Sequence, residues 1–246
     1  MTDPAPLLPE PLPPPAHVHP RAVPWGHALA WYEEAMRLFK HAPATWAGLA
    51  LVTLATELAL DAVPGFGPLL GKLVTPLVAC GLVYAAAAAD RRARISLSFP
   101  FRAFGASGGA IAAVVGAGLL AFAAEAFAAW WIADANLLVP AEGAALTPTA
   151  IAGVYAIGVL ASLPLTFVPF HVLLEGVGAA AAYRAGWHAF VLNTAPLLVY
   201  GAASLALLGI GIATMGIGLV IVLPLWAASS YAAWKDVFGV RDAPDA

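Results

Sequence analysis

The sequence predicts an all-α integral membrane protein, a bundle of six transmembrane helices with two interfacial amphipathic helices. Of its 246 residues, 62% are hydrophobic and only 10% are charged, whereas soluble domains carry about 25% charged residues. The chain therefore has too few polar side chains to cover a soluble globule of this size. Its long apolar runs lack the period-two alternation of barrel strands. This composition excludes a soluble enzyme, and a net charge of −3 excludes a nucleic-acid-binding protein with a basic surface.

The two ends of the chain differ from this apolar body. Residues 1–24 contain nine prolines, which predict a disordered, proline-rich cytoplasmic tail. The membrane domain is predicted over 25–240, followed by a short C-terminal tail over 241–246. Cys80 is the only cysteine, so an intrachain disulfide and a thiolate metal cluster are excluded.

Residues 26–42 are predicted to form the first interfacial helix. Apolar and charged side chains alternate there at helical spacing, which is typical of an amphipathic helix at the cytoplasmic membrane surface. Pro43 favours a break before the first crossing, and a continuous helix into that crossing is the alternative. Residues 178–192 resemble this segment and are predicted to form the second interfacial helix.

Charge-free runs locate the crossings, each of which needs about 20 mainly apolar residues. The predicted spans are 44–63, 66–89, 107–133, 149–173, 193–211 and 214–236. A Pro64-Gly65 turn separates the first two spans, and Pro164 and Pro169 predict a kink or unwound stretch in the fourth. Two pairs of glycines at GxxxG spacing predict close helix packing; they are Gly67 with Gly71, and Gly105 with Gly109.

The distribution of lysine and arginine predicts the orientation. With six spans, ten basic residues fall on one side and only Lys72 falls on the other. The ten are Arg21, Arg37, Lys40, Arg91, Arg92, Arg94, Arg102, Arg184, Lys235 and Arg241. By the positive-inside rule, both termini are therefore cytoplasmic and the number of crossings is even.

The chain also suggests an internal duplication. Each interfacial segment precedes a helical hairpin whose second helix contains a proline, Pro76 or Pro224, and ends at Asp90 or Asp236. Parallel repeats of this kind occur in transporters. The alternative is that alanine-rich helices look alike by chance.

Four ionisable residues fall inside the predicted spans and form a candidate intramembrane polar cluster: Glu57, Asp61, Lys72 and Glu125. Such residues are costly in lipid and are usually paired or functional. Because the first two spans form a tight hairpin, Lys72 is expected to pair with Glu57 or Asp61. One hypothesis is a proton or cation relay. The other is a structural ion pair, with a protonated Glu125 bonding across helices.

The sequence holds no other pattern that indicates chemistry. His171, Glu175 and His188 could contribute to a metal site, but their spacing matches no known metal motif, and they are expected to be solvated residues at the interface. Phosphate-binding loops and nucleophile motifs are absent. We therefore expect no catalytic residue, no metal ligand and no cofactor, and predict that the protein is not an enzyme.

Several short motifs resemble a family of uncharacterised bacterial multi-pass inner-membrane proteins, a domain of unknown function. They are Trp31 with Arg37-Leu38-Phe39, the Pro-Gly-Phe-Gly-Pro-Leu turn at 64–69, and Ser230-Tyr231-Ala232-Ala233-Trp234-Lys235-Asp236-Val237-Phe238-Gly239. The resemblance covers about 25–240 and is similar in layout to the membrane domain of some glycerophosphodiester phosphodiesterases. It implies location in the inner membrane of a Gram-negative bacterium. It implies no activity, because no catalytic phosphodiesterase domain is present.

The expected function is that of a non-enzymatic inner-membrane protein, an interaction, assembly or envelope-homeostasis factor. Its expected partners are the lipid bilayer and a membrane protein or a second copy of the chain, and not nucleic acid. The main alternative is a small secondary transporter or channel that uses the buried carboxylates. A third possibility is a membrane enzyme acting on lipid. A water-accessible cavity that joins the polar cluster to one membrane face would favour transport, and a dry, fully packed interior would count against it.

Overall fold

The computed structural model describes residues 19–138 and 147–240, and all regular structure in these ranges is helical. The helices are α1 His27–His41, α2 Pro43–Asp61, α3 Gly67–Asp90, α4 Gly108–Ala133, α5 Pro148–Ser162, α6 Val168–Leu174, α7 Ala179–Leu192, α8 Thr194–Ala213 and α9 Leu219–Phe238. Short 3-10 segments precede α4, at Phe99–Gly105, and join α5 to α6, at Leu163–Leu165. Most of the predicted N-terminal tail and all of the C-terminal tail lie outside the described residues.

Within the described ranges, five helical segments are long and apolar enough to cross a membrane. They are α2, α3, α4, α8 and Pro148–Leu165, which comprises α5 and the following 3-10 turn. The predicted sixth span, 214–236, corresponds to α9, which has 20 residues and carries Lys235 and Asp236 in its last turn. Because these polar residues lower its hydropathy, α9 does not reach the same apolarity. The sixth crossing therefore remains a prediction.

Five helices form a closed ring. Helix α3 contacts α4, α4 contacts α5, α5 contacts α8, α8 contacts α9, and α9 contacts α3. Helix α2 packs against α3 and α9. Side chains from all five helices line one cavity, which is partly open to the outside.

Helix α1 lies against α8 and α9 and extends to α2 and α3. Its side chains Ala28, Trp31, Ala35 and Leu38 are buried. The predicted break before α2 is confirmed, since α1 ends at His41 and α2 begins at Pro43. Proline suits this first helical position because the helix does not use its missing N–H there. Placement of α1 at the membrane surface remains a prediction.

Tyr32 connects α1 to the ring. Its ring stacks on Tyr200 of α8 with centroids 5.5 Å apart, and its hydroxyl lies 2.7 Å from the hydroxyl of Ser204. Burial raises the pKa of Tyr32, with the neighbouring Tyr200 adding to the effect. The phenol therefore stays protonated, and it can donate to the carbonyl oxygen of Tyr200 at 3.3 Å.

The predicted fourth span is interrupted, as its prolines indicated. Helix α5 ends at Ser162 and α6 starts only at Val168, because Pro164 and Pro169 have no N–H to donate to the preceding turn. Thr166 partly compensates, since its hydroxyl donates to the carbonyl of Ser162 at 3.0 Å. Helix α7 packs onto this break.

The order of elements is the same in the two predicted repeats. Helices α1 and α7 have 15 and 14 residues and each precedes a hairpin, formed by α2 and α3 or by α8 and α9. The leading helices pack differently, however. Helix α1 lies mainly on α9, whereas α7 lies on α6, α4 and the 3-10 turn at Leu163–Leu165. The duplication itself remains a prediction.

Candidate functional site in the helix ring

The structure contains the predicted ion pair between the first two spans. The Nζ atom of Lys72 on α3 donates to Oε1 of Glu57 on α2 at 2.8 Å. The hydroxyl of Thr75, one turn along α3, donates to the other oxygen of the same carboxylate. Lys72 also lies 5.3 Å from the ring centroid of Phe122 on α4. These contacts join three helices. Each oxygen of the Glu57 carboxylate accepts a hydrogen bond.

Asp61 lies one turn beyond Glu57 on α2, at the end of the helix, where it is exposed. A Cβ placed on Gly71 would lie 3.3 Å from Oε2 of Glu57 and 3.7 Å from Oδ1 of Asp61. Gly71 therefore gives both carboxylates room against α3. Within the described part of the chain, Asp61 has no ion-pair partner.

Glu125 makes no hydrogen bond or ion pair with the other three members of the predicted cluster in the described ranges, although the charge of Lys72 reaches it. It projects from α4 against α5, where a Cβ on Gly158 would come within 2.8 Å of its Cδ. Among the described residues, no side chain or backbone group donates a hydrogen bond to its carboxylate. The predicted cluster is therefore two features: the Glu57–Lys72 pair with Asp61 beside it, and Glu125 by itself.

Glu125 lines the cavity inside the helix ring, which has a volume of about 470 Å³. Most of the lining is apolar, and Phe170 and Pro169 of α6 belong to it together with residues of all five ring helices. Among the described residues, Glu125 is the only Asp, Glu, Lys, Arg or His in this lining. A mainly apolar cleft with a few polar groups is the usual form of a small-molecule site.

Several hydroxyl groups around the cavity are hydrogen-bonded within the protein. Tyr200 and Ser230 share a hydrogen bond of 2.8 Å, and Ser230 donates to the carbonyl of Trp226 at 2.7 Å. Ser162 donates to the carbonyl of Val159 at 2.8 Å. The buried indole N–H of Trp226 has no partner among the described residues. Glu125 and the Trp226 N–H are thus polar groups of the lining that the protein leaves unpaired.

A second polar pair is buried outside the cavity. Nδ1 of His171 lies 2.5 Å from Oε2 of Glu175, and both side chains are no more than 2% exposed. The expectation that these residues are solvated is wrong, because the aromatic end of α9 covers them. The ring of Phe238 lies 4.4 Å from the His171 ring, edge to face. The apolar neighbours of His171 within α6 were the only local indication of burial.

Metal binding by these residues finds no support in the described ranges. His188 is exposed on α7, and no group of three or more His, Cys, Asp or Glu residues in the part of the chain searched could hold an ion.

Asp90, at the end of α3, is a buried carboxylate whose contacts the sequence did not indicate. It accepts hydrogen bonds from Lys235 at 2.5 Å and from Tyr231 at 3.0 Å, both on α9. Arg37 of α1 adds a third contact at 3.3 Å. One carboxylate therefore joins α1, α3 and α9 at one end of the bundle.

No family model, curated protein or solved structure matches this chain. The resemblance to bacterial inner-membrane proteins remains a prediction. The function of the chain is therefore inferred from the geometry of the cavity.

Proposed function

We propose that the chain is a six-crossing protein of the bacterial inner membrane that moves a small molecule or ion through its central cavity. The carrying observation is a cavity of about 470 Å³ that contains an unpaired carboxylate, Glu125. Ionisable side chains inside membrane proteins mark substrate and proton pathways when they face a cavity. This observation favours the transport alternative over the role of an interaction, assembly or envelope-homeostasis factor.

The proposed sixth crossing is α9. Its 20 residues span about 30 Å, the thickness of the hydrocarbon core. It completes the ring by contacting α3 and α8. Its two charged residues lie in the last turn and are engaged by neighbours, Lys235 with Asp90 and Asp236 with Trp31. Six crossings place both termini on the arginine-rich, cytoplasmic side.

Labelling of single cysteines tests this topology. In a Cys80→Ala background, Ser98→Cys probes the α3–α4 connection and Ala133→Cys probes the end of α4; both positions are exposed. A membrane-impermeant maleimide added to intact cells should label the second variant and not the first. A third variant with a cysteine added after residue 246 should resist labelling until the cells are permeabilised. Labelling of this C-terminal cysteine in intact cells would overturn the six-crossing arrangement.

Proton flux in proteoliposomes tests the transport function. The vesicles contain a pH-sensitive dye and carry an imposed pH gradient, with valinomycin and potassium to prevent build-up of membrane potential. We expect wild-type protein to speed the collapse of the gradient and Glu125→Gln to abolish this effect. Asp61→Asn, at an exposed carboxylate outside the cavity, is the matched control and should retain it.

The absence of wild-type flux above that of empty vesicles would overturn the transport proposal. Equal flux in the wild type and Glu125→Gln would show that the cavity carboxylate is not part of the proton pathway. Either result would return the prediction to an interaction or assembly factor, which should then purify with a partner or as an oligomer in mild detergent.

A further inference from the structure

We propose that the cavity binds an amphiphilic organic monocation, with its ammonium group on the Glu125 carboxylate and its apolar body within the helix ring. This inference rests on the proposed function and names the substrate class. It follows from the charge, the volume and the lining of the cavity, taken in turn.

The charge of the cavity calls for a cation. Among the described residues of the lining Glu125 has no basic partner. Lys72 makes its short ion pair with Glu57, and its charge reaches Glu125 only from a longer distance. A carboxylate inside a bilayer is costly without a direct partner. A ligand ammonium at hydrogen-bond distance would supply the missing charge, in surroundings where an ion pair is stronger than in water.

The same lining, with a single carboxylate, suits a bare divalent cation poorly. Calcium takes 6–8 oxygen ligands, and magnesium demands near-octahedral geometry. The cavity offers one carboxylate, and the hydroxyls of Ser162, Tyr200 and Ser230 already have partners within the protein. A single carboxylate suits an ammonium group, which needs only a few acceptors.

The volume of the cavity and its lining side chains indicate the size and polarity of the rest of the ligand. A volume of about 470 Å³ lies within the range of pockets that hold small organic molecules. Four aromatic side chains line it: Tyr155, Phe170, Tyr200 and Trp226. Such rings bury apolar groups well, and their faces attract cations. The site therefore fits an amine with an apolar body.

Space beside the carboxylate is provided by small residues. Ala121 lies one turn before Glu125 on α4 and belongs to the lining, as does Gly158 on the facing helix. A larger side chain at position 121 would occupy the space next to the carboxylate without changing its charge. This position therefore allows the volume and the charge to be tested separately.

Equilibrium binding of radiolabelled octylamine tests the proposal. The protein is placed in nanodiscs of neutral phosphatidylcholine, and the signal of empty nanodiscs is subtracted. We expect saturable binding of octylamine. Octanol and octanoate, its neutral and anionic counterparts, should compete for the site at least tenfold less well than unlabelled octylamine. Glu125→Gln, which conserves shape, should weaken octylamine binding at least tenfold, whereas Asp61→Asn, at an exposed carboxylate outside the cavity, should leave it unchanged. Ala121→Leu should weaken binding although the carboxylate remains.

Three outcomes would overturn the proposal: no saturable binding of octylamine, equal competition by octanol, or equal affinity in the wild type and Glu125→Gln. Thermal unfolding of each variant identifies loss of folding, and the two independent variants keep the test valid if one does not fold. Proton flux without octylamine binding would reject the ligand class and retain transport. Binding without flux would retain the site and reject transport.

Discussion

The carboxylate of Asp236 accepts a hydrogen bond from Nε1 of Trp31 at 3.0 Å, which ties the end of α9 to α1 across 205 positions of the chain. His27 lies 2.7 Å from the same oxygen, and Arg21 donates to the other oxygen at 2.7 Å. Arg21 also donates to the backbone carbonyl of Asp236 at 2.7 Å. One residue of α9 therefore holds α1 and the segment before it.

We predict that Asp236→Ala loosens α1 before it affects the ring. The buried indole N–H of Trp31 would lose its acceptor, and an unsatisfied donor of this kind costs about 1–3 kcal/mol. Hydrogen exchange should show faster exchange throughout α1 and little change in α4. Glu33→Ala, at an exposed position on α1, is the control and should leave exchange as in the wild type. Unchanged protection of α1 in Asp236→Ala would contradict this role.

We predict that Glu57 and Lys72 are energetically coupled. Their side chains are 26% and 30% exposed within the protein, and lipid would cover the rest in the membrane. Removing either partner leaves a charge unpaired, so Glu57→Gln and Lys72→Met should each lower stability. The two single losses should add up to more than the loss of stability in the double variant. A double-mutant cycle on thermal unfolding in detergent should give a coupling of about 1 kcal/mol.

The ion pair of Glu34 and Arg37 is the comparison, because it joins two partly exposed side chains of one helix, with Arg37 also reaching Asp90 at 3.3 Å. Exposed pairs at this spacing contribute about 0.3–0.5 kcal/mol. A coupling for Glu57 and Lys72 no larger than that of the α1 pair would show that the surroundings of α2 and α3 add nothing to it.

The buried pair of His171 and Glu175 is predicted to be structural. Glu175→Ala leaves the imidazole without its acceptor in an apolar site, which should lower stability by about 3 kcal/mol. His188→Ala changes an exposed residue on α7 and should shift stability by no more than about 0.5 kcal/mol. Thermal unfolding in detergent measures both effects. Equal stability of the two variants would mean that the His171–Glu175 contact contributes nothing.

The sequence predicted contacts that depend on chain connectivity. The Pro64-Gly65 turn fixes α2 beside α3, so spacing alone was enough to predict that Lys72 pairs with Glu57 or Asp61. Pro164 likewise predicted the break after α5, because the missing N–H is a property of the residue. Both inferences required only neighbouring elements.

Contacts between distant helices were not predictable in this way. Hydropathy gives the depth of Glu125 but not the neighbour that its helix face meets, so its contact with Gly158 on α5 was not predicted. Burial of His171 depends on Phe238, which lies 67 positions later.

GxxxG spacing also does not identify the neighbouring helix. A Cβ on Gly67 would collide with the backbone carbonyl of Leu60 on α2, and one on Gly71 would lie 3.3 Å from Oε2 of Glu57 on α2. Cβ atoms on Gly105 and Gly109 would meet nothing within 4 Å. The predicted close contact is therefore confirmed for Gly67 and Gly71 and wrong for Gly105 and Gly109.

We finally predict that Gly158 is required to seat Glu125 between α4 and α5. A Cβ on Gly158 would come within 2.8 Å of Cδ of Glu125, a distance that forces the carboxylate or a helix to move. Gly158→Ala should therefore lower stability by about 1–3 kcal/mol, the usual cost of overpacking. Thermal unfolding in detergent is the measurement.

Gly209→Ala on α8 is the matched control, because its Cβ would meet nothing within 4 Å. It should be neutral or stabilising by up to about 1 kcal/mol, since alanine favours helix more than glycine does. The double variant Gly158→Ala, Glu125→Ala should recover most of the loss, because the second change removes the carboxylate that the new methyl group meets. If Gly158→Ala were as stable as Gly209→Ala, or if the double variant gave no recovery, then Glu125 would not be held against α5, and the space assigned to its ligand would have to lie elsewhere in the ring.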